Sequence, residues 1–424
     1  MRASMNRKLT FTIFVLITPL IVAEAGYWPY WRGPNYDGVS IATLSSSISR
    51  EANIQWKAPL PGRGCSTPIA WNDKIILTSE IGEEDGILAF DWKGKELWRT
   101  TIGEKTPGRG RRVGSGANSS PVTDGKTIFA YFKSGNFAAL NFDGEILWKT
   151  NLEDSYGEDK LWWDKGSSPA LAAGNVIVAI MQTEGDSLLV SFDKKTGKEV
   201  WRASRDYETA PESGDAYTSP LVINHQGIET IVTWGANHLT GHDARNGNLL
   251  WEIDGFNPAN EQYWRVIASA ALSGDMVVVP YARGAAIAGI ELDAKSGKPK
   301  WAWSREGIGS DSTTPVATKE QVIFLKDGGP DRGRVTSINP LDGKTIWESH
   351  LPRTAQKYYA SPLLAGSTFV AAREDGTVFS AKVDSNGLGE ISEYSLFEPI
   401  ISSPVAIGNK LLIRSDQHLV CFSD

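Results

Sequence analysis

Cysteine is nearly absent from this chain, which contains only Cys65 and Cys421 among 424 residues. A protein of this length with at most one disulfide cannot be a disulfide scaffold, so hydrophobic burial must stabilise it. A bridge between the two cysteines would lock the ends of the fold together, but it requires Cα atoms within about 7 Å of each other. The sequence leaves that pairing open.

Histidine is also scarce, and five residues leave little material for a zinc site or a Ser/His/Asp constellation. His238 and His242 have the spacing of a helical zinc pair, but the pattern around Gly241 predicts a strand, where such residues lie about 13 Å apart. The stretch "DGGPDRGR" at 327–334 lacks the alternating oxygen ligands of a calcium loop. We therefore expect no metal site, and no local motif identifies a catalytic residue.

Long hydrophobic runs are missing after residue 25. Residues 1–25 have Arg2, Arg7 and Lys8 before an apolar run and end in "AEA", which is typical of a signal peptide cleaved after Ala25. The run is shorter than the ~20 residues of a membrane span, although an uncleaved anchor is the alternative. No cysteine follows the cleavage site, so no lipid anchor is expected. We expect an exported protein, periplasmic or secreted, with no transmembrane span after cleavage.

Positive charge is not in excess either. The formal net charge is −7, and residues 1–25 carry a positive surplus, so the mature chain is more negative still. This charge disfavours nucleic acid and other polyanions as partners. With 41% hydrophobic and 22% charged residues, the chain has the composition of an ordered globular protein, which we expect to be a monomer.

The sequence is rich in a repeat. A stretch from Asp to Gly, as in Asp193 and Gly197, predicts an Asx turn closed by a glycine with positive φ. Asp91 with Gly94, Asp243 with Gly247, Asp293 with Gly297 and Asn339 with Gly343 follow the same pattern. A tryptophan recurs about every fifty residues, and we interpret these side chains as core. They are Trp56, Trp98, Trp148, Trp201, Trp251, Trp301 and Trp347, with Tyr394 in an eighth position.

A second series has Ser or Thr before proline. It ends at Pro68, Pro121, Pro169, Pro220, Pro315, Pro362 and Pro404, with Ala270 in the remaining position. Each unit has four short runs with strand character. Eight such units predict an all-β, eight-bladed β-propeller of four-stranded antiparallel blades over residues 53–424, preceded by a lead-in at 26–52. Because the last unit lacks a fourth strand, residues 53–58 are predicted to close it beside 418–422.

The repeat resembles that of the pyrroloquinoline quinone (PQQ)-like β-propeller proteins. "SFDKKTGKEVW" at 191–201 matches their motif Ala/Ser-x-Asp-x-x-Thr-Gly-Lys-x-x-Trp almost letter for letter, and the resemblance covers residues 53–424. The stretch "WPYWRGPNYDGVS" at 28–40 resembles the lead-in of many secreted bacterial members. The family contains quinoprotein dehydrogenases and non-catalytic propellers such as the scaffold lipoprotein of the outer-membrane barrel-assembly machinery. The resemblance therefore implies the fold and leaves the function open.

This sequence does not match the residues that bind the cofactor in the quinoprotein dehydrogenases of the family. Alcohol dehydrogenases of the family hold PQQ beneath a disulfide of adjacent cysteines and over a tryptophan, with an arginine and a calcium ion bound by Glu, Asn and a catalytic Asp. This chain has no adjacent cysteines, no matching Glu or Asn motif and no long insertions for a cofactor chamber. We expect no cofactor, with PQQ and calcium as the alternative.

The loops before each Ser-Pro step are predicted to gather around one end of the channel. Their aromatic and charged residues are typical of a recognition surface, although packing against neighbouring loops is the alternative. Arginines in "GRGRR" suit an anion clamp or a solvated loop. The candidate binding residues are Arg63, Arg109, Arg111, Arg112, Trp162, Trp163, Asp215, Tyr217, Tyr263, Trp264, Arg265, Asp311, Lys357, Tyr358 and Tyr359.

The sequence thus favours an exported, non-catalytic binding or scaffold protein that uses this loop face to meet a protein, peptide or glycan ligand. The alternative is a PQQ- and calcium-dependent oxidoreductase acting on alcohols or sugars.

Overall fold

The computed structural model describes residues 26–109, 114–292 and 298–424, and these residues form eight sheets of four antiparallel strands, one of which gains a short fifth strand. The predicted eight-bladed β-propeller is confirmed. Helix is limited in these residues to Glu153–Tyr156 and two 3₁₀ turns, Glu51–Asn53 and Ala282–Gly284. No helix among them has both the length and the apolar character needed to cross a membrane.

Blades 1 to 4 follow one another along the chain, and in each the first strand lies innermost. Blade 1 contains Ile69–Trp71, Lys74–Ile81, Glu84–Phe90 and Glu96–Glu104. Blade 2 contains Val122–Thr123, Ile128–Tyr131, Asn136–Leu140 and Ile146–Asn151. Blade 3 contains Ala170–Ala172, Asn175–Ile180, Leu188–Asp193 and Glu199–Ser204. Blade 4 contains Leu221–His225, Ile228–Gly235, His238–Asp243 and Leu249–Ile253.

Blades 5 to 8 repeat this order, except that the N-terminal strand completes the last one. Blade 5 contains Ala271–Ser273, Met276–Tyr281, Ala286–Glu291 and Lys300–Glu306. Blade 6 contains Val316–Ala317, Val322–Leu325, Arg334–Ile338 and Thr345–His350. Blade 7 contains Leu363–Ala365, Thr368–Ala372, Thr377–Asp384 and Gly387–Ser395, with Val39–Ser40 added in parallel to its first strand. Blade 8 contains Val405–Ile407, Lys410–Arg414, His418–Ser423 and Ile54–Pro59.

Ring closure occurs where it was predicted. The strand Ile54–Pro59 pairs antiparallel with His418–Ser423, and Trp56 lies opposite Cys421. The strand therefore supplies the missing fourth strand of blade 8 and leaves that sheet no unpaired third strand. Cys65 and Cys421 are both free thiols, so the disulfide left open by the sequence is not formed.

The seams between blades explain why Asp, Gly and Trp recur together. Trp201 of blade 3 donates its indole N–H to the carbonyl of Ala244, in the Asp-to-Gly turn of blade 4, at 3.1 Å. Its ring lies so close to Gly247 that a Cβ there would come within 2.4 Å of it. The turn of one blade is thus the socket for the tryptophan of the preceding blade. The same pair of contacts joins Trp56 to Gly94, Trp98 to Gly144, Trp148 to Gly197 and Trp303 to Gly343.

Two positions of the predicted tryptophan series were wrong. In blade 5 the seam residue is Trp303, which lies opposite Gly289 and donates its indole N–H to the Pro340 carbonyl, whereas Trp301 packs outside the seam against Phe256. A β-bulge separates the two residues, since Trp301 lies opposite Ile290 and Trp303 opposite Gly289, so their side chains point to opposite faces of the sheet. The spacing of the repeat alone does not show where this bulge falls. The Asp293 to Gly297 turn lies outside the described residues.

No described residue in the seam between blades 7 and 8 is a tryptophan. Tyr394 packs in this seam, 6.4 Å from the ring of Phe422, but it lies two residues beyond the position that tryptophan has in the other blades. Ser392 is the residue opposite the small side chain of Ser380, and both bond to the lead-in: Ser49 Oγ lies 2.7 Å from Ser380 Oγ and donates to the Ser392 carbonyl at 2.9 Å. The buried side chains of Leu44 and Ile48 pack in the same cluster as Phe422. The lead-in therefore takes the role that a tryptophan has in the other seams.

The lead-in also crosses the channel. Trp28 pairs with Ala70 of blade 1, and the carbonyls of Pro29, Asp37 and Gly38 accept from Thr123, Ala317 and Leu364 in the first strands of blades 2, 6 and 7. Arg32 is buried, and its guanidinium donates to the carbonyls of Pro362 and Pro315 at 2.6 and 3.0 Å. Burial lowers the pKa of Arg32 to about 10, which still leaves it charged at neutral pH.

The antiparallel order gives the ring two different faces. The mouth face consists of the loops from a fourth strand to the next blade and the turns between second and third strands. The base face consists of the turns between first and second and between third and fourth strands, where the Asp-to-Gly sockets lie. The lead-in bonds to the base-side half of the first strands, so it narrows the channel from that end.

Candidate ligand cavity at the channel mouth

The Ser-Pro series of the sequence forms a closed belt of hydrogen bonds around the channel. In every blade the residue before the proline, or before Ala270 in blade 5, donates its backbone N–H to the hydroxyl of its counterpart in the next blade. The bonds run from Thr67 to Ser120, Ser168, Ser219, Ser269, Thr314, Ser361, Ser403 and back to Thr67, at 2.8 to 3.1 Å. The belt accounts for why Ser or Thr is required at this position of each repeat.

Above the belt lies a cavity of about 750 Å³, within the usual size range of small-molecule sites. Its wall contains belt residues, mouth loops and the second-to-third-strand turns of blades 5 and 6. Trp31 of the lead-in also lines it, as does the free thiol of Cys65. Burial raises the pKa of Cys65 to about 11, so this thiol is protonated at neutral pH.

One wall of the cavity, formed by blades 5 to 7, carries most of its charge. Arg265 is buried there, 3.3 Å from Asp311 and 3.5 Å from Glu212, and its guanidinium lies 5.6 Å from the ring centre of Trp163. Burial raises the pKa of the Asp311 carboxyl, and the positive charge of Arg265 opposes that shift. Asp327 accepts from the backbone N–H groups of Asp311 and Ser312, which fixes the loop that carries Asp311.

Three further cations extend this charged wall. Lys326 donates to the carbonyls of Gly284 and Gly309 at 2.6 and 2.7 Å, and burial lowers its pKa. Arg283 and Lys357 also line the cavity. Within the described parts of the chain, neither of their side chains forms an ion pair or a hydrogen bond, so both remain available to a ligand.

The described residues of the opposite wall are mostly neutral. Asp164 is the carboxylate among them, and Lys133 pairs with it at 2.5 Å while the backbone N–H of Arg109 also bonds to it. Tyr217 accepts a hydrogen bond from the backbone N–H of Trp163 at 2.9 Å, and burial raises the pKa of its phenol. The neutral wall therefore presents aromatic rings and hydroxyls toward the charged wall.

The structure brings part of the predicted residue set together. Trp163, Tyr217, Arg265, Asp311, Lys357 and Tyr359 line the cavity. Outside it, Trp162 and Tyr263 are exposed on the mouth loops, Arg63 pairs with Asp416 at 3.4 Å, and Arg109 bonds to the carbonyl of Leu161. Trp264 donates its backbone N–H to Ser213 in a neighbouring loop. Arg111 and Arg112 lie outside the described residues.

Two of the predicted residues have structural positions instead. Tyr358 is fully buried and belongs to the hydrophobic cluster of Phe379, because side chains alternate along the chain and Tyr359 takes the outward direction. Asp215 is buried and accepts from the backbone N–H groups of Trp162 and Thr183, so it braces two loops. Neither side chain lines the cavity.

Sequence reasoning missed Trp31, Arg283, Lys326 and Asp327. The last three lie on turns between second and third strands, which the sequence marks only as hairpin tips. The arginine in "YARGA" at 281–285 and the unusually long turn "KDGGPDRG" at 326–333 were the available signals. Trp31 was hidden in the lead-in because nothing in the sequence indicates that this segment enters the channel.

Comparison with known proteins agrees with this architecture. The model of a family described as "Outer membrane protein assembly factor BamB" matches residues 83–255, 143–301 and 257–424. The outer membrane protein assembly factor BamB of Burkholderia pseudomallei is 23% identical over 372 residues, which are 83% of this chain and 82% of that protein.

Two solved structures share the fold. BamB from Moraxella catarrhalis has a TM-score of 0.58 at 16% identity, over 90% of this chain and 99% of that one. The quinohemoprotein alcohol dehydrogenase from Comamonas testosteroni has a TM-score of 0.67 at 12% identity, over 94% and 80%. Because the family matches together extend from residue 83 to the C-terminus, this chain belongs to the PQQ-like β-propeller family described as outer membrane protein assembly factor BamB.

Proposed function

We propose that the protein is an exported, non-catalytic binding or scaffold protein that meets its partner with the mouth face. The observation that carries the proposal is the cavity of about 750 Å³, lined by aromatic and charged side chains from six or more loops and turns. Such a concave surface with a few convergent polar groups is the usual form of a binding site.

The rim of the mouth supports a protein partner. Three aromatic side chains stand out from its loops: Trp162 and Tyr263 are each 54% exposed, and Phe397 is 87% exposed. Tyr263 and Phe397 have φ values of 65° and 58°, a conformation that costs free energy in residues with a side chain. Exposed aromatics held in this way are typical anchors of protein interfaces. The family description and the Burkholderia relative, both named as assembly factors, agree with such a role.

The experiment is site-specific photocrosslinking in a cell that exports the protein. A photoreactive residue replaces Tyr263 on the mouth face or, as the matched control, exposed Lys195 on a base-face turn. We expect a discrete protein adduct from position 263 and none from position 195. Equal adducts from both positions, or adducts from position 195 alone, would refute the proposed use of the mouth face.

A second candidate, a quinoprotein oxidoreductase, is favoured by the likeness to the quinohemoprotein alcohol dehydrogenase. The residues present do not fit that cofactor. Cys65 has no neighbouring cysteine, Asp164 is engaged by Lys133, and no three His, Cys, Asp or Glu side chains in the described ranges are grouped as metal ligands. Dye reduction by alcohols or sugars in the presence of PQQ and calcium would reverse the order of the two candidates.

A further inference from the structure

Four cationic and four carboxylate side chains line the cavity, and two of the cations have neither a hydrogen bond nor an ion pair in the described ranges. Each carboxylate lining it is bonded internally: Asp164 to Lys133, Asp311 to Arg265, Asp331 to Arg334 and Asp327 to two backbone N–H groups. Arg283 and Lys357, by contrast, have no such partner in the described ranges. Both cations attract the Asp311 carboxylate without a direct contact, so their N–H donors remain open to an anionic group of a ligand.

The backbone that carries Arg283 is strained. Ala282, Arg283 and Gly284 follow one another with φ values of 53°, 53° and 75°, although only the last is a glycine. Gly284 packs so tightly on the loop of Asp311 that a Cβ there would lie 2.3 Å from the Asp311 nitrogen. Strain of this kind persists where the surroundings impose it, and it is common at ligand sites. The packing of this turn therefore imposes a strained backbone conformation, which places Arg283 at the cavity.

The belt supplies hydrogen-bond donors of one particular kind. Each belt hydroxyl accepts a backbone N–H, and none donates a hydrogen bond to any residue in the described parts of the chain. Since the backbone N–H groups are consumed by the belt, the lower wall offers hydroxyl donors to a ligand and few backbone groups. Those that line the cavity are Thr67, Ser120, Ser168, Ser361 and Ser403.

Aromatic rings complete the lining. Trp31, Trp163 and Tyr359 border the cavity. The electron-rich face of an aromatic ring attracts the polarised C–H groups of a saccharide ring as well as flat apolar surfaces. A ligand that uses all three features carries an anionic group, many oxygen acceptors and a ring with an apolar face.

We propose that the cavity binds a saccharide that carries carboxylate groups, of the uronic acid class. Arg283 and Lys357 pair with a carboxylate, the belt hydroxyls donate to sugar oxygens, and the aromatic rings pack against the sugar rings. A peptide with acidic side chains has the same anionic group, but it needs backbone partners that the belt has already consumed. The proposal rests on the mouth face as the binding surface and names the ligand class of its cavity.

The test is calorimetric titration of the purified protein with trigalacturonate and triglucuronate, compared with neutral maltotriose and with the acidic peptide triglutamate. We expect at least one uronate to bind, roughly tenfold or more tighter than maltotriose, and to weaken several-fold between about 50 and 500 mM salt. Binding of neither uronate, equal binding of maltotriose, or tighter binding of triglutamate would each overturn the proposal.

Variants separate recognition from folding. Arg283→Asn removes the cation with a residue that tolerates positive φ, and Lys357→Ala removes the second one. Each is expected to weaken uronate binding roughly tenfold while the melting temperature stays close to that of the wild type. Lys195→Ala, which removes an exposed base-face cation, is the control and should bind normally. Unchanged uronate affinity in both cavity variants would contradict the assignment.

The outcome also distinguishes this inference from the proposed function. A mouth-specific crosslink without uronate binding would refute the proposed saccharide ligand but would still support the mouth face as the surface that binds a partner protein. Uronate binding without any protein crosslink would support the proposed ligand of the cavity and would contradict the proposed role as a scaffold for a protein partner.

Discussion

The base and mouth faces of this propeller are built on opposite plans. On the base face the same turn returns blade after blade, and each described Asp-to-Gly socket receives one tryptophan, as Gly247 receives Trp201. On the mouth face the loops differ in length and composition, and among the described residues most of the charge that lines the cavity lies on blades 5 to 7. The repeated face holds the ring together, while the irregular face is free to vary, which is where recognition belongs.

The largest expected effect comes from filling a base-face socket. Gly247→Ala adds a Cβ within 2.4 Å of the Trp201 ring at a φ of +76°, so we expect a loss of about 3 kcal/mol or more in the free energy of unfolding. Gly227→Ala is the matched control, because its φ is +77° with nothing within 4 Å, and it should lose about 1–2 kcal/mol. Chemical denaturation measures both. Equal losses would mean that the socket contact adds nothing to the backbone cost.

Removal of the seam side chain is expected to cost a similar free energy. Trp201→Ala should destabilise the protein by about 3–5 kcal/mol, because the indole is 8% exposed and bonds to the next blade. Trp301 is 36% exposed and lies outside its seam, so Trp301→Ala should cost clearly less. If Trp301→Ala were the more damaging change, the corrected register of blade 5 would be wrong.

The sequence predicted the base face well because its determinants are local. An Asp and a Gly four residues apart define a turn whatever surrounds them, as Asp193 and Gly197 show. The two wrong predictions concern seam positions where a residue distant in sequence determines which side chain enters the seam. Gly289 selects Trp303 over Trp301, and Ser49 of the lead-in takes the place that Tyr394 was expected to fill.

The mouth face could be predicted only in outline. The loops were identified from their composition, but a pair such as Tyr358 and Tyr359 gives no local signal of which ring turns inward. Arg283 and Lys326 reach the cavity through the curvature of the whole ring, which no single repeat encodes. Trp31 reaches the cavity because the lead-in segment that carries it crosses the channel.

The belt of hydrogen bonds between the two faces should make an intermediate contribution to the free energy of unfolding. Ser219→Ala removes the acceptor of the buried Ser168 backbone N–H, now bonded at 2.9 Å, and should cost about 1–3 kcal/mol. Ser155→Ala, at an exposed mouth-loop position, is the control and should be nearly neutral. Thermal unfolding of the two variants checks this difference. A neutral Ser219→Ala would show that the belt does not contribute to stability.

The smallest effect is expected from an ion pair on the mouth face, and it depends on pH. Burial would raise the pKa of Glu398, but hydrogen bonds from Lys57, Ser415 and His418 outweigh it and hold the pKa at about 2. A lowered carboxyl pKa stabilises the fold above its unfolded value of ~4.3, and this contribution is lost as the pH falls towards 2. Because Lys57 is partly exposed, Glu398→Gln should cost only about 1 kcal/mol at pH 7.

Unfolding of Glu398→Gln at pH 7 and at pH 3 tests that sign. The difference from the wild type should shrink at the lower pH, while exposed Glu390→Gln should show no difference at either. A loss that grew on acidification would contradict the hydrogen-bonding account of this closure contact.

The central claim is that the base face holds the fold together and the mouth face binds the partner. The most direct test is the yield of the photocrosslink from the mouth face in a variant that lacks the exposed aromatic side chains of the rim. The triple variant Trp162→Ala, Tyr263→Ala and Phe397→Ala removes only exposed aromatic side chains, so the fold should retain its melting temperature. With the photoreactive residue moved to position 357, we predict that the adduct yield per folded molecule falls roughly tenfold or more. An undiminished yield, or a loss that merely follows a lowered melting temperature, would contradict the separation of fold and recognition between the faces.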